Sequence, residues 1–192
     1  MLMSDDVEDN EERPTVFGSI LLRQEIKKIE FVKIDLKNVP RGAWDVSAER
    51  DRTIWVWASR EAEEIVLKIG SENGVYANPN CEGFFSGYSN VKRIKFNNLF
   101  DTSKVTNMKD MFVECGELED VDTGRFDTSK VADMTCMFAF CNKLKNLDVS
   151  RFNTSRVTNM SGMFAQCYEL KNLDVSGFDT RKVTDMSYMF QE

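Results

Sequence analysis

Apolar side chains return along the second half of this chain at a fixed step. Phe100, Phe126, Phe152 and Phe178 stand 26 residues apart, and each opens a version of one phrase, as in Phe126-Asp127-Thr128-Ser129-Lys130-Val131. The same step links Met108, Met134, Met160 and Met186, then Met111, Met137, Met163 and Met189, then Phe112, Phe138, Phe164 and Phe190. Of the ten methionines, only Met1 and Met3 fall outside these columns. A period of this length marks tandem units that cannot bury their apolar faces alone and must stack.

Within one unit the apolar spacing changes. Leu144-Lys145-Asn146-Leu147-Asp148-Val149 has the spacing L-x-x-L-x-L of a leucine-rich-repeat strand, with Leu147 and Val149 inward and Asn146, Asp148 and Ser150 outward. Val157, Met160, Met163, Phe164 and Cys167 then recur at steps of three and four, which predicts a one-sided helix. Asn153, Thr154 or Ser155 is placed to cap it. The expected fold class is therefore α/β: a leucine-rich-repeat-like solenoid of strand–helix units with a small β-rich N-terminal capping domain. Phe84, Tyr88, Val91 and Ile94 lie 27 residues before Met111, Cys115, Leu118 and Val121, so residues 83–192 divide into a half-unit, three full units and a truncated last unit. That last unit shows Val183, Met186, Met189 and Phe190 with no strand to follow, so the end is expected to be adhesive and to support self-association.

Residues 15–82 do not repeat and predict a β-rich cap domain. Ile26 to Ile34, Thr53 to Ala58 and Glu64 to Ile69 read as strands from their β-branched and aromatic content. The second and third are expected to form a hairpin with a longer loop, and Ser71-Glu72-Asn73-Gly74 a turn. The alternative to a cap is an independent binding domain with Trp55 and Trp57 on an exposed strand face. Residues 1–14, acidic from Ser4 to Glu12, read as a disordered tail and are the reverse of a secretory signal.

Charge and composition narrow the function. A net charge of −7 argues against nucleic acid, which needs a basic stripe to displace counterions. The absence of histidine removes the commonest general base and zinc ligand. No apolar run reaches the roughly 18–20 residues that cross a bilayer. An enzyme is not expected, nor any cofactor or metal.

The repeat columns supply the candidate chemistry. The outward strand residues Asp122, Asn146, Asp148, Ser150, Asn172, Asp174 and Ser176 form the candidate ligand-binding face, taken as concave. Their carboxylates would stack about 4.8 Å apart, to be relieved by hydration, a basic or polar partner, or a cation. Cys115, Cys141 and Cys167 share a column with Tyr88, which favours packing over sulfur chemistry. The methionine columns read as core. Lys104, Lys130, Arg156 and Lys182 form a basic column read as a soluble surface, since exposed pairs with nearby acids such as Asp133 and Asp185 would add only about 0–1 kcal/mol each.

The stretch from Leu173-Asp174-Val175-Ser176-Gly177-Phe178-Asp179-Thr180 to Tyr188-Met189-Phe190 resembles the bacterial surface protein repeat family, the BspA-like leucine-rich repeats also described as the mycoplasma lipoprotein repeat. The resemblance covers about residues 84–192. Ala43-Trp44-Asp45-Val46-Ser47, Ile69-Gly70 and Asn78-Pro79-Asn80 resemble the leader that precedes such arrays. It implies a non-catalytic module at the cell surface or secreted, binding a protein or host-surface ligand in adhesion. Neither a signal peptide, a lipoprotein cysteine near the start nor a wall anchor is expected from the residues read, so a cytoplasmic location is the alternative expectation. The alternative function is a structural display scaffold without a specific ligand.

Overall fold

The structure is a computed structural model that describes residues 23–48 and 51–192. The acidic tail at 1–14 lies outside the described residues. A short 3-10 turn, Arg23–Glu25, precedes eight strands: β1 (Ile26–Lys33), β2 (Trp44–Asp45), β3 (Ile54–Glu61), β4 (Glu64–Ser71), β5 (Val75–Tyr76), β6 (Arg93–Lys95), β7 (Phe100–Asp101) and β8 (Asp120–Val121). One sheet has the order β2-β3-β4-β1-β6-β8, and β5 pairs with β7 in a second. Among the described residues there is no α-helix. The expected α/β architecture of strand–helix units is thereby overturned: the molecule is strands and turns.

The N-terminal sheet follows the two-residue period of its strands. Val56 and Ala58 face the same side as their partners Ile69 and Leu67, and all four are buried. Trp55 and Trp57 share the other side with Gly70 and Lys68. Trp57 is only 9% exposed, because Gly70 leaves room for it: a Cβ there would sit 2.7 Å from its ring. Trp55 is half-buried and its indole N–H donates to the Arg52 carbonyl at 2.9 Å. The hairpin β3–β4 closes on two residues, Ala62 and Glu63, both at positive φ, in place of the longer loop expected.

The array continues this sheet by another route. β6 and β8 are parallel neighbours with Ile94 beside Val121, and the bridge between Asp120 and Asn146 carries the pairing into the next unit. A second line of parallel bridges runs Asn80, Asn107, Asp133, Asn159 and Asp185. Each unit is thus one tier in a stack, and each tier lends backbone bonds to the next.

The segment expected to be a helix shows why the expectation failed. In a helix every N–H turns back to the carbonyl four residues earlier. Here alternate N–H groups leave the tier: Met108 donates to Asp133, Asp110 to Thr135, Phe112 to Met137 and Glu114 to Ala139. The intervening ones close short turns, Met111 to Met108, Val113 to Asp110 and Cys115 to Phe112. Positive φ recurs in two columns, at Gly83, Asp110, Cys136, Gly162 and Tyr188, and at Gly87, Glu114, Phe140 and Gln166. Left-handed residues at that spacing stop a right-handed helix and cost roughly 1–2 kcal/mol each where they are not glycine. The bonds between tiers offset this. Overlapping turns still bury Met108, Met111, Phe112, Cys115 and Leu118, the same steps of three and four as a helix face.

The expected helix caps serve the stack as well. Thr102, Thr128 and Thr154 are buried, and each hydroxyl takes the N–H and donates to the C=O of one residue in the following tier: Asp127, Asn153 and Asp179. Asn153 Oδ1 instead accepts the N–H and hydroxyl of Ser155, closing a local turn. The phenylalanines Phe85, Phe112, Phe138, Phe164 and Phe190 stack with centroids 5.2–6.0 Å apart and planes within 13°. Phe31 of β1 joins Phe85, Phe96 and Phe100, so sheet and array share one core.

Candidate functional site

Two faces of the array carry chemistry. The first holds the seven strand residues singled out in the sequence. Asp122, Asn146, Asp148, Ser150, Asn172, Asp174 and Ser176 are all exposed, while Leu147 and Val149 between them are buried. Asp122 and Asp148 flank Gly124, whose Cβ would lie 3.2 Å from Asp148 Oδ2 and 3.8 Å from Asp122 Oδ1.

These carboxylates do more than face water. Asp148 Oδ1 accepts the Ser150 hydroxyl at 2.6 Å and its N–H at 3.0 Å, and Asp174 Oδ1 accepts the Ser176 N–H at 2.9 Å. The serines hold both carboxyls below the ordinary aspartate range. Each aspartate therefore tightens its own turn. Among the described residues no group of three acidic or thiol side chains is arranged to hold a metal.

The second face lies on the side of the repeated Phe-Asp-Thr phrase. A cleft of about 420 Å³ opens where β5 meets β7, lined by Asn73, Tyr76, Asn98, Asp101, Arg125 and Arg151 among others. Tyr76 is 65% exposed, and Lys104 Nζ stands 5.2 Å from the centre of its ring. Further along, a cavity of about 370 Å³ is lined by Ser155, Arg156, Asp179, Arg181 and Lys182. Arg181 grips Asp179 at 2.7 Å and pulls its carboxyl down to about 2. Among the described residues no member of the basic column forms an ion pair with Asp133 or Asp185; Lys130 Nζ donates to the Ser103 carbonyl at 2.9 Å. Elsewhere in the array, Lys109, Lys143 and Lys145 do find glutamates, at 2.9–3.9 Å.

The sequence pointed to the first face and gave the second no ligand. Arg125 and Arg151 share the 26-residue step and were legible as a column, but Tyr76 stands outside the repeat and only the fold brings it there.

The cysteines pack. Cys115, Cys141 and Cys167 donate S–H to the carbonyls of Phe85, Phe112 and Phe138 at 3.1–3.2 Å. Burial pushes the Cys115 thiol up to about 12 and Cys167 to about 11. Burial thus disfavours a nucleophilic thiolate in that column.

Residues 79–192 match the family described as "Mycoplasma protein of unknown function, DUF285", from the first tier bridge at Asn80 to the last tier. The chain belongs to that family. The DUF285 region thus comprises the stacked tiers, and the N-terminal sheet that shares their core precedes it. No curated protein and no solved structure matches the chain.

Proposed function

We propose that this chain is a non-catalytic interaction module of the bacterial-surface, BspA-like repeat type, acting at the cell surface or secreted. The observation that carries the reading is the surface pattern of the tiers. Apolar columns are buried while polar columns stay outside, so one chemical group is offered repeatedly at about 4.8 Å, the spacing of neighbouring strands. Repetition of weak polar contacts suits an extended partner, because linked contacts bind far more tightly than single ones. The strand face from Asp122 to Ser176 is the first candidate for a protein or host-surface ligand. No helix among the described residues is long and apolar enough to cross a membrane.

Beads coated with the chain should adhere to animal cells, and soluble chain should compete. The combined variant Asn146→Ala, Asp148→Ala, Asp174→Ala should lose adhesion if that face binds; unchanged adhesion moves the contact elsewhere, and no adhesion by the unaltered chain rejects the adhesion role. One observation favours a second reading, a display scaffold without a ligand: Asp148 and Asp174 already spend their carboxylates on Ser150 and Ser176.

A further inference from the structure

We propose that the Phe-Asp-Thr side of the array binds an anionic polysaccharide, with Arg125, Arg151 and Lys130 holding its acidic groups and Tyr76 supporting a sugar ring. The inference rests on the interaction-module reading above and gives it a different face and a ligand class.

The charge is arranged, not scattered. Lys104, Arg125, Lys130, Arg151, Arg156, Arg181 and Lys182 gather on this side against Asp101, Asp127 and Asp179, in a chain whose net charge is −7. Asp101 Oδ1 and Asp127 Oδ1 accept the N–H groups of Ser103 and Ser129, and Asp179 holds Arg181 with both oxygens. Arg125, Arg151, Lys104, Lys130, Arg156 and Lys182 have no carboxylate within 4.0 Å among the described residues, while Lys130, Arg151 and Lys182 stand near enough to Asp127, Asp148 and Asp179 to help hold those carboxyls down. Unpaired guanidinium groups in a cleft are suited to carboxylate or sulfate oxygens, which they bind through paired N–H donors.

The geometry favours a linear ligand. The cations form two rows that follow the tiers, Arg125 with Arg151 and Lys104 with Lys130, Arg156 and Lys182, at about the 4.8 Å strand spacing. A polymer with an acidic group on each short unit can meet successive rungs. Tyr76, met on one face by Lys104, gives the cleft an exposed ring, and Asn73 and Asn98 give amide groups for hydroxyls. An adjoining cavity of about 380 Å³ that shares Tyr76 is lined by Asp51 and Glu72, with no cation among the described residues that line it to hold an anion. A membrane surface fits less well: Met186, Tyr188 and Phe190, the exposed apolar cluster of the last tier, line neither basic cavity.

The test titrates the full chain with heparin oligosaccharides and with polygalacturonate, the sulfated and carboxylated sources of the same chemistry. Polyglutamate and phosphatidylglycerol vesicles are run beside them. At least one polysaccharide should bind at low salt and weaken by about tenfold or more on raising salt severalfold. The triple variant Arg125→Gln, Lys130→Gln, Arg151→Gln should lose about tenfold in affinity with an unchanged melting curve. Tyr76→Ala should weaken the polysaccharide and leave polyglutamate unaffected. Lys143→Gln, outside this side, should change neither. No polysaccharide binding, equal or tighter binding of polyglutamate or vesicles, or an indifferent triple variant overturns the proposal. Cell adhesion separates the two readings: adhesion without polysaccharide binding sinks only this inference, and polysaccharide binding without adhesion sinks only the adhesion role.

Discussion

The N-terminal sheet and the repeat array both bury apolar columns but use their backbones differently. In β1, β3 and β4 whole strands pair along eight residues, and the buried side is read from alternate positions such as Val56 and Ala58. In the array the strands shrink to two or three residues, and the stack is carried by turns whose N–H groups leave every second residue for the next tier. The lesson is that a burial period reports which side chains face inward. It does not report where the backbone bonds go.

The largest test of this contrast is Phe138→Ala. Phe138 is fully buried between Phe112 and Phe164 in the stacked column, so its removal should cost about 3–5 kcal/mol. Denaturant melts give the size. Hydrogen exchange should show the loss at the Phe112 and Phe164 amides in the adjoining tiers, with the β3–β4 hairpin less affected.

Thr128→Val comes next. It keeps the shape but leaves the Asn153 N–H and C=O without the hydroxyl that bridges them, at about 1–3 kcal/mol. A neutral result in urea melts would mean that the threonine column fills space and does not join tiers.

Asp148→Ala should have a smaller effect, a loss of less than about 1 kcal/mol, since the carboxylate is exposed. Taken as one charge in a repelling ladder, Asp148 would be neutral or slightly stabilising to remove. Its bonds to Ser150 reverse that sign. A melting temperature raised by the substitution would restore the ladder view.

Acid should act in the same direction, more on the array than on the sheet. Asp127, Asp148, Asp174 and Asp185 are held below 3.8 by neighbouring serines, and Asp179 lies at about 2 beside Arg181. With folded values depressed, their stabilisation is full above the unfolded value and is lost as pH falls through the folded values, from about 4 toward 2. Asp110, raised by burial, opposes this. Melts from pH 5 to pH 2 should show progressive loss, and a flat profile would show that these turn bonds add nothing.

Much of this molecule was legible from residue order alone. The two-residue alternation within a unit placed Leu147 and Val149 inside and Asp148 outside, and the structure has that burial. The helix was not legible as an error, because Met160, Met163, Phe164 and Cys167 keep steps of three and four in either backbone. The corrective signal was faint: Gly83, Gly87 and Gly162 mark left-handed columns, but Asp110, Cys136 and Tyr188 fill the same places without glycine. The tight β3–β4 turn was hidden likewise by Ala62-Glu63, where asparagine and glycine are the usual signal. The polar face from Asp122 to Ser176 was read as exposed, while its turn bonds needed coordinates. The cleft at Tyr76 joins a residue outside the repeat to Arg125 and Arg151 inside it, and no local pattern joins them.

The helix-like stripe is a ladder of turns bonded between tiers. Scalar couplings through hydrogen bonds test it directly in isotope-labelled protein. The Phe112 N–H should couple to the carbonyl carbon of Met137, and the Phe138 N–H to that of Met163. Coupling of Phe112 to Met108 and of Phe138 to Met134, four residues back in the same unit, would restore the helix and contradict the account.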